Sequence, residues 1–156
     1  MATTLEEVTY EAGRHALADQ EALVAGIRQR TGTLLAAHAL VASFLGAATI
    51  RAEGLRGWGW VALAALVLAL VVAAVLLSPW RLRFAVDARN LYVQLYEQAT
   101  TEASNGTLEW LANAGLGYQQ LRGENEPRVR AMSALCALLS VLMVVQTLAW
   151  IAGLAR

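Results

Sequence analysis

Polar side chains inside otherwise apolar stretches are the first places to look for chemistry in this chain. The segment from Thr31 to Ile50 carries no formal charge and is interrupted by one histidine, His38, while the apolar segment near the C-terminus contains Gln146. An ionisable group within a spanning helix is costly unless it faces protein or water. His38 is therefore either a pore-facing or proton-relaying group, or a neutral imidazole bonded to a neighbouring helix, with Gln146 as candidate partner. We favour the second interpretation for His38, and helix joining for Gln146, because no other histidine or charged side chain interrupts the apolar segments.

Arginines that flank the apolar segments, together with nearby aromatic residues, are the second set of candidates. Such arginines are usually positive anchors that contact anionic lipid headgroups, which is the favoured interpretation here. Because guanidinium groups bind phosphate bidentately and aromatic rings stack on bases, the alternative is a site for a phosphorylated ligand. The candidate ligand-binding residues are Arg28, Arg30, Arg81, Arg83, Arg128, Arg130, Tyr118 and Trp110.

Motifs for enzyme chemistry are missing from the sequence. The two histidines, His15 and His38, lack metal-ligand spacing, and Cys136 is a single cysteine in an apolar run. Gly115-Leu116-Gly117 is followed by Gln120 where a dinucleotide fingerprint needs its third glycine. Twelve basic residues balance twelve acidic ones, which argues against a nucleic-acid partner. The sequence therefore predicts no catalysis, no metal and no cofactor.

Composition and apolar segment length predict a membrane protein. Of the 156 residues, 58% are hydrophobic and 15% charged, against about 25% charged residues in an ordinary soluble domain. A spanning helix needs about 20 apolar residues, and three segments qualify: 31–50, 58–77 and 131–154. We therefore predict an all-α membrane protein with three transmembrane helices, the first two forming a hairpin at 31–77.

The remaining segments predict two helical elements outside the membrane. Residues 1–30 are amphipathic and should form a helix that continues directly into the first span. Residues 78–130 should form a helical insert before the third transmembrane region at 131–156. Within the insert we expect one helix marked by Leu91, Leu95 and Ala99, a turn at Asn105-Gly106, a helix that ends at Gly123, and a third-span helix with Pro127 in its first turn.

The placement of the arginines predicts the orientation of the chain. With the N-terminus inside, nine of the twelve arginines lie on the inner side and three on the outer side. The positive-inside rule therefore favours a cytosolic N-terminus and an outer C-terminus, with Trp58, Trp60 and Trp150 in the outer aromatic belt. Every basic residue is an arginine, which suggests GC-rich coding and a bacterial inner membrane.

Small residues at four-residue spacing permit close helix packing in all three spans. They are Ala42 and Gly46 in the first, Ala65, Ala69 and Ala73 in the second, and Ser133 and Ala137 in the third. Such strips serve contacts within one protomer as easily as contacts between protomers. From them we expect a homo-oligomer.

The layout resembles a known family. A cytosolic helix enters the first span through Leu23, Arg28-Gln29-Arg30, Thr31-Gly32-Thr33 and Leu34-Leu35-Ala36-Ala37, and Glu124-Asn125 precedes the last span. This is similar to the Pycsar membrane effectors and related SLATT-type proteins of bacterial antiphage nucleotide signalling. The resemblance implies a partner cyclase that makes a cyclic pyrimidine nucleotide during infection. It also implies that this ligand shifts the cytosolic helices, so that the spans impair the inner membrane and cause abortive infection.

A second hypothesis comes from a different functional class. The tyrosine-bearing cytosolic helices also suit a non-catalytic membrane scaffold or accessory subunit that binds a partner protein. A phage-type holin fits the number of spans, but the long insert at 78–130 argues against it.

Overall fold

The computed structural model describes residues 5–53, 57–84 and 106–155, and it shows helices without strands in these ranges. The elements are helix α1 (Leu5–Val41), a π-helix (Ala42–Gly46), helix α2 (Ala47–Glu53), helix α3 (Trp58–Leu77) and helix α4 (Gly106–Leu154). Three helical stretches of the described chain are long and apolar enough to cross a membrane: Leu5–Ala52, Trp58–Leu77 and Trp110–Leu154. The prediction of an all-helical chain is confirmed for the described residues, and three of its helical stretches could cross a membrane, as predicted.

Helix α3 begins and ends at the residues predicted from the sequence. Its 20 residues are apolar throughout, so no polar side chain interrupts the helix. Gly57 precedes it with a φ of 48°, a conformation that glycine adopts without steric cost. Ser78 leaves the helical conformation, as expected for a residue followed by proline. Ala65, Ala69 and Ala73 are buried within the chain, so this strip of small residues serves intramolecular packing.

Helix α1 passes without interruption through Arg28 and Arg30 into the first apolar segment, as the sequence predicts. Near the end of that segment the hydrogen-bonding pattern widens to a π-helix over Ala42–Gly46 before α2 continues. The backbone N–H of Ala47 then donates to the carbonyl of Phe44, which tightens the next turn. π-Helical turns occur mostly as short insertions in α-helices, frequently at functional sites.

The predicted helix end at Gly123 and the predicted start near Pro127 are both wrong, because α4 continues through both residues. A glycine inside a helix costs about 1 kcal/mol, which is too little to end a long helix. Pro127 lacks the N–H that would bond the Gly123 carbonyl, four residues earlier. The proline ring also crowds that carbonyl. The Gln20 side chain donates from Nε2 to the adjacent Arg122 carbonyl over 3.2 Å, which stabilises the irregular turn. The helix marked by Leu91, Leu95 and Ala99, and the turn residue Asn105, lie outside the described residues.

The chain divides into two compact units. The first unit comprises Met1–Val24 and Trp80–Val129, and the second comprises Ala25–Pro79 and Arg130–Arg156. The second unit contains most of the apolar residues of the three candidate spans. Its hydrophobic core includes Ala62, Ala149 and Trp150, with Val41 and Leu45 packed against them.

Candidate functional site

The second unit contains a buried polar contact centred on His38. His38 and Gln146 are both fully buried, and His38 Nδ1 hydrogen-bonds Gln146 Oε1. The other ring nitrogen, Nε2, lies 3.2 Å from the backbone carbonyl oxygen of Leu139. Gln146 Nε2 donates in turn to the backbone carbonyl of His38 over 3.3 Å. The expected pairing of His38 with Gln146 is thus present, and we call His38, Gln146 and the Leu139 carbonyl the polar joint.

Close contacts between the first and third apolar segments continue beyond the polar joint, at residues that follow His38 and Gln146 in each helix. A Cβ added to Gly46 would lie 3.1 Å from the ring of Trp150, and one added to Gly153 would lie 2.9 Å from the Thr49 methyl carbon. The Thr49 hydroxyl donates to its own helix at Leu45 and also lies 3.4 Å from the Trp150 carbonyl oxygen. Trp150, expected in the aromatic belt, is 2% exposed, whereas Trp58 and Trp60 are exposed. These two helical segments therefore pack directly on each other.

In the first unit, two glycines allow the backbones of α1 and α4 to touch. A Cβ added to Gly13 would lie 2.6 Å from the Gly115 carbonyl oxygen, and one added to Gly115 would lie 2.7 Å from the Thr9 carbonyl oxygen. Real Cβ atoms do not approach backbone atoms so closely. Gly115 was predicted only as part of an incomplete dinucleotide motif, and its role here is close packing. A glycine in the interior of an apolar helical pattern was the available signal.

Beside this glycine contact lies an aromatic cluster of Tyr10, Trp110 and Tyr118. The rings of Tyr10 and Trp110 have centroids 6.1 Å apart, and Tyr10 and Tyr118 meet edge to face at 5.8 Å. The indole N–H of Trp110 is buried and has no hydrogen-bond partner among the described residues. Burial raises the pKa of the Tyr118 hydroxyl, the neighbouring Tyr10 raises it further, and the Arg14 guanidinium opposes both effects.

Asn125 fixes the non-helical segment that follows α3. Its side chain is buried, with Nδ2 donating to the Arg83 carbonyl over 2.8 Å and Oδ1 accepting from the Arg83 N–H over 3.2 Å. One amide thus satisfies both backbone groups of a residue that lies outside any helix. The position of Asn125 before the third span was noted from the sequence, but its partner was not predictable, because Arg83 lies 42 residues earlier.

The predicted ligand-binding residues fall in both units. All six candidate arginines have exposed side chains. Arg81, Arg83 and Arg128 belong to the first unit, and Arg28, Arg30 and Arg130 to the second. Trp110 and Tyr118, both half-buried, are brought together by their shared contact with Tyr10, which the sequence did not single out as a site residue.

Comparisons of the chain with protein family models, with curated proteins and with solved structures find no match. Function must therefore be inferred from the residues and their contacts. These offer one stacking and hydrogen-bonding cluster in the first unit and one polar contact among apolar helices in the second.

Proposed function

We propose that the chain is a membrane effector of a bacterial antiphage nucleotide-signalling system, gated by a cyclic nucleotide. The observation that carries this proposal is the aromatic cluster. Trp110 and Tyr118, the residues selected from the sequence as base-stacking candidates, pack on the same ring of Tyr10. The buried Trp110 N–H lacks a partner in the described chain, and such a donor costs about 1–3 kcal/mol. A carbonyl or ring nitrogen of a base would accept this hydrogen bond.

The proposed gating couples ligand binding in the first unit to a leak carried by the apolar helices. A nucleotide shifts an equilibrium between closed and open forms only if it binds the open form more tightly. Moving the population from mostly closed to mostly open requires a preference of about 10⁴-fold. Candidate arginines of the first unit, such as Arg81 and Arg128, would supply part of that preference by bidentate phosphate contacts made in the open form only.

Dye leakage from liposomes tests this proposal. Purified protein, shown to be inserted and folded, is exposed to a panel of cyclic mononucleotides and cyclic dinucleotides. We expect one of them to trigger leakage. Trp110→Phe, which keeps a ring but removes the indole N–H, should weaken the response at least tenfold, because its hydrogen bond to the ligand is lost. The matched control is Trp60→Phe, at an exposed position on α3, which should respond normally.

Two further results bear on the proposal. Replacing Arg81 and Arg128 together by glutamine should abolish the response while leaving insertion intact, whereas unaltered gating would remove both from the site. Silence with every nucleotide, from correctly inserted protein, would contradict the effector function itself.

One observation favours the second candidate function, a membrane scaffold. Four large apolar side chains of the first unit are exposed: Leu5 at 78%, Val8 at 51%, Leu23 at 51% and Leu116 at 56%. Exposed apolar side chains outside the predicted spans 31–50, 58–77 and 131–154 suit contact with another protein. In vivo crosslinking from position 116 tests this function, since a scaffold should give one discrete crosslinked species that Leu5→Ser weakens. If the protein is an effector and not a scaffold, Leu5→Ser should not change the crosslinking from position 116.

A further inference from the structure

Arg14 lies at the edge of the aromatic cluster in the first unit. It follows Tyr10 by four residues on α1, so the two side chains share one side of the helix and are one turn, or about 5.4 Å, apart along it. Tyr118 meets the Tyr10 ring edge to face at 5.8 Å. Burial and Tyr10 raise the pKa of the Tyr118 hydroxyl and the Arg14 guanidinium lowers it, which requires the guanidinium to lie near that hydroxyl. Arg14 was not among the candidate arginines, because it lies well before the apolar segments.

Glu11 is the ion-pair partner of Arg14. Nη2 of Arg14 lies 3.5 Å from Oε2 of Glu11, and both side chains are about half exposed. The same carboxylate oxygen lies 3.3 Å from Nε2 of His15. An exposed ion pair of this kind contributes little to stability, because water screens it. The contact uses one terminal nitrogen of a guanidinium that carries five N–H donors, so a stronger acceptor can replace the carboxylate.

We propose that Arg14 binds the phosphate of a nucleotide whose base packs on the aromatic cluster, and that Glu11 competes with this phosphate for the guanidinium. The assignment rests on the proposed nucleotide function, since it names the phosphate ligand of the same site. In a nucleotide the sugar separates base and phosphate, much as one helical turn separates Tyr10 and Arg14. The guanidinium fork matches two phosphate oxygens and binds them by two parallel hydrogen bonds. Arg81 and Arg128 would add their contacts in the open form only, whereas Arg14 already lies beside the cluster.

The carboxylate of Glu11 should also affect which phosphates bind. A cyclic phosphodiester carries one negative charge, whereas a terminal phosphate carries about 1.5 to 2 negative charges at pH 7. Because Glu11 lies beside Arg14, its carboxylate repels the additional charge of a terminal phosphate more than it repels the diester. Glu11 therefore favours a cyclic mononucleotide over the linear monophosphate with the same base.

Calorimetric titration of the full chain in nanodiscs tests this assignment separately from leakage. The ligands are the cyclic mononucleotides of adenine, guanine, cytosine and uracil, with the corresponding linear monophosphates and nucleosides. We expect at least one cyclic nucleotide to bind at least tenfold more tightly than its nucleoside. Arg14→Gln should lower the affinity for that nucleotide to the level of the nucleoside, because the phosphate ligand is lost. Equal affinities of Arg14→Gln and the parent chain for the cyclic nucleotide would overturn the assignment.

Glu11→Gln is the matched variant, and its expected effect has the opposite sign. Without the competing carboxylate, the cyclic nucleotide should bind roughly two- to fivefold more tightly, and its advantage over the linear monophosphate should decrease. Weaker binding in this variant would show that Glu11 does not compete for Arg14. Arg51→Gln controls for the loss of one positive charge, because Arg51 is an exposed residue of α2 in the second unit, and it should bind like the parent chain.

The two readouts separate this assignment from the effector function. Binding that depends on Arg14 but causes no dye leakage would contradict the effector function and support the assignment. Leakage that a nucleotide triggers equally in the parent chain and in Arg14→Gln would support the effector function and overturn the assignment. The absence of detectable binding of every ligand to correctly inserted protein would also overturn it.

Discussion

Glycines allow close helix contacts in both units, but they meet different partners. In the first unit, the atoms nearest to an added Cβ on Gly13 or Gly115 are backbone atoms of the facing helix. In the second unit, the atoms nearest to Gly46 and Gly153 belong to the side chains of Trp150 and Thr49. A side chain can turn to accommodate a new methyl group, whereas a helix backbone can only move as a whole. The first contact should therefore tolerate substitution less well than the second.

Buried amide side chains also serve different partners in the two units. In the first unit, Asn125 and Gln20 bond backbone groups, namely those of Arg83 in a non-helical segment and the Arg122 carbonyl near Pro127. In the second unit, Gln146 bonds another side chain, His38, in addition to a backbone carbonyl. Buried hydroxyls in the spans, such as that of Thr49, donate to backbone carbonyls of their own helix, whereas the larger polar groups of His38 and Gln146 pair with each other.

The largest expected effect is that of Gly115→Ala. The new Cβ would lie 2.7 Å from the Thr9 carbonyl oxygen and 3.0 Å from the Tyr10 backbone nitrogen, so the two helices must separate. Such overpacking costs typically 1–3 kcal/mol, and we expect a loss of about 2–3 kcal/mol in the free energy of unfolding. Unfolding by SDS in mixed micelles, followed by Trp110 fluorescence in a chain without its other tryptophans, measures this loss.

Gly117→Ala is the control for this substitution. Gly117 lies in the same helix, and an added Cβ would meet no atom within 4 Å. Alanine should there raise stability by up to about 1 kcal/mol, because it favours the helix. Equal effects at both positions would show that the glycine contact of the first unit is not tight.

Features set by local sequence could be predicted, whereas contacts between residues far apart in the chain could not. The bounds of α3 were predictable because its residues are uniformly apolar and Gly57, Ser78 and Pro79 flank them. The partner of His38 was predictable because an apolar span offers few polar groups. The contact between Gly13 and Gly115, and that between Asn125 and Arg83, join residues far apart in sequence, so local patterns carry no trace of them. Continuation of α4 through Gly123 was not predictable from local propensity, because glycine is a weak helix former and local propensity contains no information on packing.

Gln146→Leu should have the next largest effect and tests pairing in the second unit. It leaves His38 Nδ1 and the His38 carbonyl without their partner, at a cost of about 1–2 kcal/mol. The double mutant His38→Leu/Gln146→Leu should lose less stability than the two single mutants together, because no polar ring then remains unpaired. A double-mutant cycle by SDS unfolding measures this coupling.

Ser140→Ala serves as the control for the cycle. The Ser140 hydroxyl is exposed and bonds the carbonyl of Cys136 in its own helix, so its removal should change stability by less than about 0.5 kcal/mol. Strict additivity of the two substitutions in the polar joint would mean that His38 and Gln146 do not stabilise the fold as a pair.

The smallest expected effect is the alkaline behaviour of the aromatic cluster. Because burial and Tyr10 raise the pKa of Tyr118 above 10.0, its contribution to stability is present below about pH 10 and is lost as pH rises through the raised pKa. Tyr118→Phe keeps the ring and should flatten this alkaline loss. Arg14→Gln should move the ultraviolet titration of Tyr118 to higher pH, since the guanidinium lowers its pKa. If Tyr118 titrates like a free tyrosine in both the parent chain and Arg14→Gln, the hydroxyl is solvated, and the first unit presents an open aromatic surface in place of a packed cluster.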